Sequence, residues 1–114
     1  PIKYSEAHSN ENLAEIVCSN SFKSNLLTNA CGLLKEELRR LDSLLIRIAD
    51  ETQVPAGQAL AVDREKFAQR VTQEIEANPL IEIIHKENLQ EFAFQLFEQD
   101  KFSRSVRIIR PFFR

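Results

Sequence analysis

The hydrophobic positions of the chain follow a helical period over one long stretch in its first half. From Ser24 to Glu51, apolar residues recur at steps of three and four, the spacing that places side chains on one face of an α-helix. The pattern predicts a long amphipathic helix that packs with this face toward a core. The residues of the predicted apolar face are Leu27, Ala30 or Cys31, Leu34, Leu38, Leu41, Leu45 and Ile48.

Charged residues occupy the opposite face of this predicted helix. For Arg39 and Arg40 a solvated surface is the simpler interpretation, and contact with phosphate is the alternative. Thr28 either caps the start of the helix or lies inside a longer helix that begins near Ser21. Cys31 is most simply a small core residue. The charged face carries Lys35, Glu36, Arg39, Arg40, Asp42 and Arg47.

The pattern that follows predicts a turn, a short strand and a second helix. Pro55-Ala56-Gly57 has the composition of a turn, and the small apolar run Ala59–Val62 is typical of a buried strand. Asp63 is the predicted N-cap of a helix that runs to about Ala77, where Asn78-Pro79 stops it. The inner edge of this helix is formed, at spacings of four, by Phe67, Val71 and Ile75.

A β-branched run after the second helix indicates the fold class. Leu80 to His85 reads LIEIIH, which predicts a strand. A helix, a stop and a strand make half of an α/β crossover unit, and such units favour parallel sheets. We therefore expect an α/β fold that is rich in helix and contains short parallel strands.

The last segment, residues 87–114, differs in character from the rest. Asn88 and Glu91 suit a helix cap, and a wide apolar face runs from Leu89 to Phe97. Ser105 to Ile109 fits a short edge strand. Residues 101–114 combine five basic residues with three phenylalanines and no acid. This mixture suits single-stranded nucleic acid, although a frayed or weakly packed chain end is the simpler interpretation.

Composition restricts the classes of function. With 43% hydrophobic and 28% charged residues the chain is typical of one soluble domain, and its net charge of −2 indicates no general affinity for nucleic acid or membranes. Its two cysteines lie thirteen residues apart, which fits neither a zinc site nor a disulfide framework, so a reducing, cytosolic setting is expected. No apolar run approaches the roughly 20 residues of a membrane span.

The stretch AEIVCSNS, residues 14–21, holds the most reactive candidate side chain, the thiol of Cys18. Ala14, Ile16 and Val17 predict a buried segment, whereas the three polar residues after Cys18 favour turns and helix caps. We therefore expect Cys18 where a buried segment meets the start of a helix. Backbone N–H groups there stabilise anions and would favour a reactive thiolate; a buried, inert thiol is the alternative.

Three strings of the sequence resemble one known family closely. AEIVCSNS, LTNACGLLKEELRRLDSLLIRIADE and VPAGQALAVDREKFAQRV are similar to the bacterial folate- and FAD-dependent tRNA uracil-5-methyltransferases. The resemblance covers about residues 1–86 and implies part of a Rossmann-type FAD-binding domain. Residues 87–114 do not follow the family and form a divergent tail.

The resemblance implies an activity and a set of site residues. In this family a one-carbon unit passes from methylenetetrahydrofolate to C5 of a uridine in the T-loop of tRNA. Reduced FAD mediates the transfer, NAD(P)H supplies the electrons, and the setting is cytoplasmic. Cys18 matches a cysteine that helps to activate the uracil, as a nucleophile or as an acid/base. The implied cofactor-binding residues are Ser19, Asn20 and Ser21, at a flavin edge or phosphate, and Asp63 and Arg64, for which an N-cap with a neighbouring charge is an equal alternative.

The sequence also departs from the family. A Gly-x-Gly-x-x-Gly loop for the FAD pyrophosphate is absent, and Cys31 does not match the family's second functional cysteine. Gly57-Gln58 stands where the family has two glycines. We therefore expect a truncated product that binds FAD weakly or not at all and does not methylate alone. The alternative is a small interaction module that associates, for example as a homo-oligomer, through residues 89–97.

Overall fold

The computed structural model describes residues 8–86 and 106–111, which belong to two compact units. The central unit is Glu11–Gln73, and the terminal unit combines Pro1–Asn10 with Glu74–Arg114. The predicted helix at residues 89–97 lies outside the described residues. The elements, in chain order, are β1 (Ser21–Ser24), α1 (Ala30–Arg40), α2 (Leu44–Glu51), β2 (Gln53–Val54), β3 (Ala59–Val62), α3 (Arg64–Glu76), β4 (Ile81–Lys86) and β5 (Val106–Pro111).

A three-stranded antiparallel sheet with β3 in the middle organises the central unit. The strand order is β1-β3-β2, with Ser24 opposite Ala59 and Gln53 opposite Val62. Because β3 has neighbours on both edges, its apolar residues are enclosed, and Leu60 and Val62 are almost fully buried. The predicted strand at Ala59–Val62 is confirmed. The turn before it is also confirmed, since Gly57 adopts a φ of +61° that glycine tolerates best.

The sequence pattern did not indicate β1. Its residues, Ser-Phe-Lys-Ser, are mostly polar, and the strand is irregular between Ser21 and Ser24. Lys23 lies in the left-handed region with a φ of 66°. Phe22 anchors the strand, because its ring meets that of Phe67 edge to face at 5.4 Å between centroids.

The single long helix expected between Ser24 and Glu51 is two helices, so that prediction is wrong. After α1 the chain turns at Asp42, whose φ is 54°. The N–H of Asp42 donates to the carbonyl of Arg39 at 3.0 Å, and the N–H of Ser43 donates to that of Leu38 at 2.9 Å. These two bonds form a Schellman motif, which usually places glycine at the left-handed position. Because aspartate stands at this position, the residue pattern did not indicate the break between the helices.

The buried side of α1 is also the opposite of the expected one. Leu34 and Leu41, predicted to face the core, are 56% and 78% exposed, whereas Gly32 and Lys35 are buried. The Lys35 ammonium donates to the carbonyls of Ser24 at 2.7 Å and Cys31 at 3.0 Å. The polar side of α1 therefore packs against the loop and strand before it. In α2 the prediction is confirmed at Ile48, which is fully buried, and wrong at Leu45, which is 46% exposed.

Arg39 joins the two helices and is not simply solvated. Its Nε and Nη2 donate to the two carboxylate oxygens of Asp50 at 2.7 and 2.8 Å, and Nη2 also donates to Asn25 Oδ1 at 2.9 Å. The hydrogen bond to Asp50 raises the pKa of the Arg39 guanidinium above its ordinary value. The interpretation that Arg39 lies on a solvated helix surface is thus wrong. The same interpretation agrees with the position of Arg40, whose side chain is 80% exposed.

The second predicted helix is confirmed as α3. Asp63 caps it, because Asp63 Oδ1 accepts from the Lys66 N–H at 3.1 Å. Phe67, Val71 and Ile75 are buried on one side, as their spacing predicted. At the end of the helix, the Leu80 N–H donates to Asn78 Oδ1 at 2.9 Å, so the Asn78-Pro79 stop is also confirmed.

The strand expected at Leu80 to His85 is β4, and it pairs with β5 in the terminal unit. The pairing is parallel, with Ile81 opposite Val106 and Lys86 opposite Pro111. The predicted α/β class with short parallel strands is therefore confirmed. The antiparallel sheet of the central unit is an addition that the sequence pattern did not predict.

We predict that Arg39→Met lowers the free energy of unfolding by about 1 kcal/mol, because it breaks a bidentate, half-exposed ion pair and leaves Asp50 and Asn25 without this donor. Urea unfolding followed by circular dichroism measures the change. Arg40→Met, on the exposed side of the same helix, is the matched control and should shift stability by less than about 0.5 kcal/mol. Equal losses for the two variants would contradict the bridging role of Arg39.

Candidate functional site

The segment before β1 and the beginning of α3 border one cleft in the central unit. The cleft has a volume of about 520 Å³. It contains a thiol, a hydroxyl, an amide, three charged side chains and two valines. The lining residues are Cys18, Ser19, Asn20, Val54, Val62, Asp63, Arg64 and Glu65.

Backbone pairing to β3 holds the cysteine segment at the cleft. The N–H of Val62 donates to the carbonyl of Asn20 at 2.9 Å, which extends the contact between the two segments by one residue beyond β1. Ser19 Oγ accepts from the N–H of Ser21 at 3.1 Å and closes a short turn. Cys18 thus lies two residues before Asn20, where the chain joins the sheet, and Cys18 is exposed to solvent.

The local surroundings of Cys18 differ from the sequence-based prediction. The preceding segment is not buried, since Ala14 and Val17 are exposed, and Cys18 is followed by β1 rather than by a helix. The nearest helix along the chain is α1, which begins only at Ala30, with Asn29 as its N-cap. A helix start does border the cleft, but it belongs to α3. The sheet brings it there from more than 40 residues along the chain.

The beginning of α3 contributes both structure and charge to the cleft. Asp63 Oδ1 caps the helix, and Oδ2 lies 3.8 Å from Lys66 Nζ. The Asp63 N–H donates to the carbonyl of Thr52 at 2.9 Å, which ties the cap to the residue before β2. Arg64 and Glu65 follow in the first turn with exposed surfaces. The N-cap alternative for Asp63 is therefore confirmed, and Arg64 supplies the cation of the cleft.

The structure brings together five of the six residues singled out in the sequence. Cys18, Ser19, Asn20, Asp63 and Arg64 line the cleft. Ser21 does not line it. Ser21 pairs with Ala61 in the sheet, and its Oγ accepts from the N–H of Lys23 at 3.0 Å.

Three lining residues were missed by the sequence analysis. Val54 is the last residue of β2 and Val62 the last residue of β3, and their apolar side chains carried no chemical signal. Glu65 is an acidic residue in the first turn of α3, where the positive end of the helix dipole favours an acidic side chain. The position of Glu65, two residues after the predicted N-cap Asp63, was the sequence signal that could have identified it.

The cleft combines groups that suit a planar polar ligand or a phosphate. Short side chains such as Ser19 and Asn20 offer donors and acceptors. The start of α3 and Arg64 favour negative charge, and the carboxylates of Asp63 and Glu65 oppose it. Val54 is half-buried and provides an apolar contact, whereas the side chain of Val62 is almost fully buried. Within residues 8–86 and 106–111, no three His, Cys, Asp or Glu side chains are grouped so that they could hold a metal ion. In the same residues, no helix is long and apolar enough to cross a membrane.

A family model described as Glucose inhibited division protein A matches residues 4–96 of the chain. The chain belongs to this family. The match includes every residue that lines the cleft and the helices α1, α2 and α3. The family assignment agrees with the α/β fold class drawn from the sequence pattern.

Curated relatives confirm the resemblance noted in the sequence motifs. The chain is similar to the methylenetetrahydrofolate--tRNA-(uracil-5-)-methyltransferases TrmFO of Enterococcus faecalis, at 56% identity over 87 residues, and of Dictyoglomus thermophilum, at 59% over 87 residues. The corresponding protein of Caldicellulosiruptor bescii is 60% identical over 87 residues. These alignments cover 76% of this chain and 20% of each relative. The chain therefore spans about a fifth of the length of these relatives.

We predict that Asp63→Ala lowers the free energy of unfolding by about 1 kcal/mol, because α3 loses its N-cap hydrogen bond. Asp63→Asn should retain most of the stability, since the asparagine oxygen can accept the same bond from the Lys66 N–H. Urea titrations of both variants measure the difference. If Asn and Ala were equally destabilising, the carboxylate charge rather than the cap would be the stabilising feature.

Proposed function

We propose that this chain provides the cysteine-bearing cleft of a folate- and FAD-dependent tRNA uracil-5-methyltransferase. The reaction transfers a one-carbon unit from methylenetetrahydrofolate to C5 of a uridine in the T-loop of tRNA. The observation that carries the proposal is that Cys18, Ser19, Asn20, Asp63 and Arg64, which match the family motifs, border a single cleft. The names of relatives at 56–60% identity support the reaction class.

Cys18 is the proposed reactive group. Its exposed position in the cleft leaves the thiol accessible to a substrate. Methylation at C5 of a uracil requires a nucleophile at C6, which makes C5 enolate-like, and a base that removes the C5 proton. A cysteine is suited to either task, as a thiolate that adds to C6 or as an acid/base that exchanges a proton.

The cleft residues fit a part of the FAD cofactor. In this proposal Ser19 and Asn20 hydrogen-bond a polar ring edge, the half-buried Val54 faces a ring, and Arg64 at the start of α3 holds a phosphate. When bound, reduced FAD mediates the one-carbon transfer, with NAD(P)H as the source of electrons. The 114 residues contain no Gly-x-Gly-x-x-Gly loop. We propose that the chain alone does not retain FAD and does not methylate.

The substrate partner, location and chain division are part of the same proposal. tRNA is the proposed macromolecular substrate, because the relatives are named for acting on it. A cytoplasmic location suits a tRNA-modifying enzyme and two free cysteines. We also retain the division into a family segment, residues 1–86, and a tail, residues 87–114.

A chimera tests this function. In the Enterococcus faecalis relative, residues 4–86 of this chain would replace the matched segment, and 5-methyluridine formation on tRNA would be measured. We predict an active, yellow chimera and a colourless isolated chain. Cys18→Ser should lower the chimera's rate at least about 100-fold, the scale of losing an acid, base or nucleophile.

Cys31→Ser in the same chimera is the matched control, because Cys31 belongs to α1 and does not line the cleft. It should keep nearly full activity. A folded, flavin-loaded chimera in which Cys18→Ser methylates as fast as the unsubstituted protein would refute the role of Cys18. Flavin bound at one equivalent by the isolated chain would refute its proposed dependence on the rest of the polypeptide.

A further inference from the structure

Helix α3 contacts the chain on both sides of Cys18. Before the cysteine, the N–H of Leu13 donates to Thr72 Oγ1 at 2.8 Å. After the cysteine, the ring of Phe22 packs edge to face against that of Phe67, with 5.4 Å between the centroids. Thr72 and Phe67 both belong to α3, whose first turn borders the cleft. One helix therefore holds the chain before and after the thiol.

The hydroxyl of Thr72 is oriented by a second hydrogen bond. It donates to the carbonyl of Ala68, four residues earlier in α3, at 2.7 Å. A hydroxyl has one donor and two acceptor lone pairs, so this bond leaves an acceptor for the Leu13 N–H. The N–H, the hydroxyl and the carbonyl thus form a chain of two hydrogen bonds, each of which polarises the other. A valine at position 72 would keep the shape of the side chain and lose both bonds.

The backbone immediately after Leu13 adopts a conformation that needs support. Ala14 has a φ of 57°, in the left-handed region that residues with a Cβ atom seldom occupy. Such a conformation persists where the surrounding structure holds it. Ala14 itself is exposed, whereas Leu13 and Ile16 on either side of it are half-buried. The bond from Leu13 to Thr72 therefore fixes the chain at the point where it turns toward the cysteine.

We propose that Thr72 is a positioning residue for Cys18 in the methyl transfer. The inference rests on the proposed role of Cys18 as the reactive group. On the far side of the thiol, the Asn20 carbonyl accepts from the Val62 N–H at 2.9 Å. On the near side, the bond between Leu13 and Thr72 is the corresponding fixed point. Without it, the thiol samples more positions, and a group that must add to C6 or exchange a proton then reacts more slowly.

Two measurements on the 114-residue chain test the contact itself. In a Cys31→Ser background, which leaves Cys18 as the single thiol, a nitroxide label on Cys18 reports its mobility by electron paramagnetic resonance. Thr72→Val should narrow the spectrum of the label. It should also speed amide hydrogen exchange at Leu13 about 5-fold, because the N–H loses its acceptor. The Val62 amide should exchange at an unchanged rate.

Thr52→Val is the matched control for these measurements. The Thr52 hydroxyl also donates to the carbonyl four residues earlier, that of Ile48, at 2.8 Å. The substitution removes the same kind of bond and leaves the contact between Leu13 and Thr72 in place. It should therefore change neither the label spectrum nor the exchange at Leu13. Thr72→Ser retains the hydroxyl and should behave like the unsubstituted chain.

The chimera with the Enterococcus faecalis relative connects the contact with the reaction. Thr72→Val should lower kcat for 5-methyluridine formation about 10-fold, because the thiol is less often in the reactive position. It should change the KM for tRNA less than about 2-fold, since the substitution alters the position of the thiol and not the binding of tRNA. Thr72→Ser should restore at least about half of kcat, because the acceptor for the Leu13 N–H returns.

Unchanged exchange at Leu13 and an unchanged label spectrum in Thr72→Val would overturn the contact. Faster exchange with an unchanged kcat would overturn the positioning role, as would a serine variant no more active than the valine variant. A Cys18→Ser chimera that still methylates would refute the proposed function and, with it, the role of Thr72 in the reaction. An inactive Cys18→Ser chimera together with a fully active Thr72→Val chimera would refute this inference alone.

Discussion

The central unit depends on the pairing of β3 with the chain on both of its edges. On one edge the Val62 N–H bonds the carbonyl of Asn20, and one residue later the Asp63 N–H bonds the carbonyl of Thr52 on the other side. These two bonds bring the Cys18 segment and the start of α3 to the same end of β3. The cleft exists because of this arrangement, since neither segment alone carries both the thiol and the helix start.

The same unit packs polar groups where apolar ones were expected. Lys35 is enclosed and satisfied by backbone carbonyls, and Arg39 is held by Asp50 and Asn25. Such contacts require a specific geometry. They therefore restrict the orientation of α1 more than apolar packing would. One consequence is that Leu34 and Leu41 lie on the exposed side of the helix.

Sequence patterns predicted the elements whose signals are local. The Asp63 cap, the Phe67-Val71-Ile75 edge and the Ala59–Val62 strand each depend on neighbouring residues, and each is confirmed. The patterns failed where long-range contacts decide the outcome. Periodicity finds the apolar side of α1 but does not say whether it faces this unit or another surface. β1 has no alternation of apolar and polar residues, so the sequence pattern did not predict its pairing with β3. The site residues were identified by motif resemblance, and only the fold shows that they lie together.

Amide hydrogen exchange at Val62 and Asp63, resolved by NMR, tests the central claim most directly. The Val62 N–H reports the bond to the cysteine segment, and the Asp63 N–H reports the bond to the opposite edge as an internal control. We expect both amides to be protected from exchange to a similar degree. Protection of Asp63 with free exchange at Val62 would contradict it, because Cys18 would then not be held beside the start of α3.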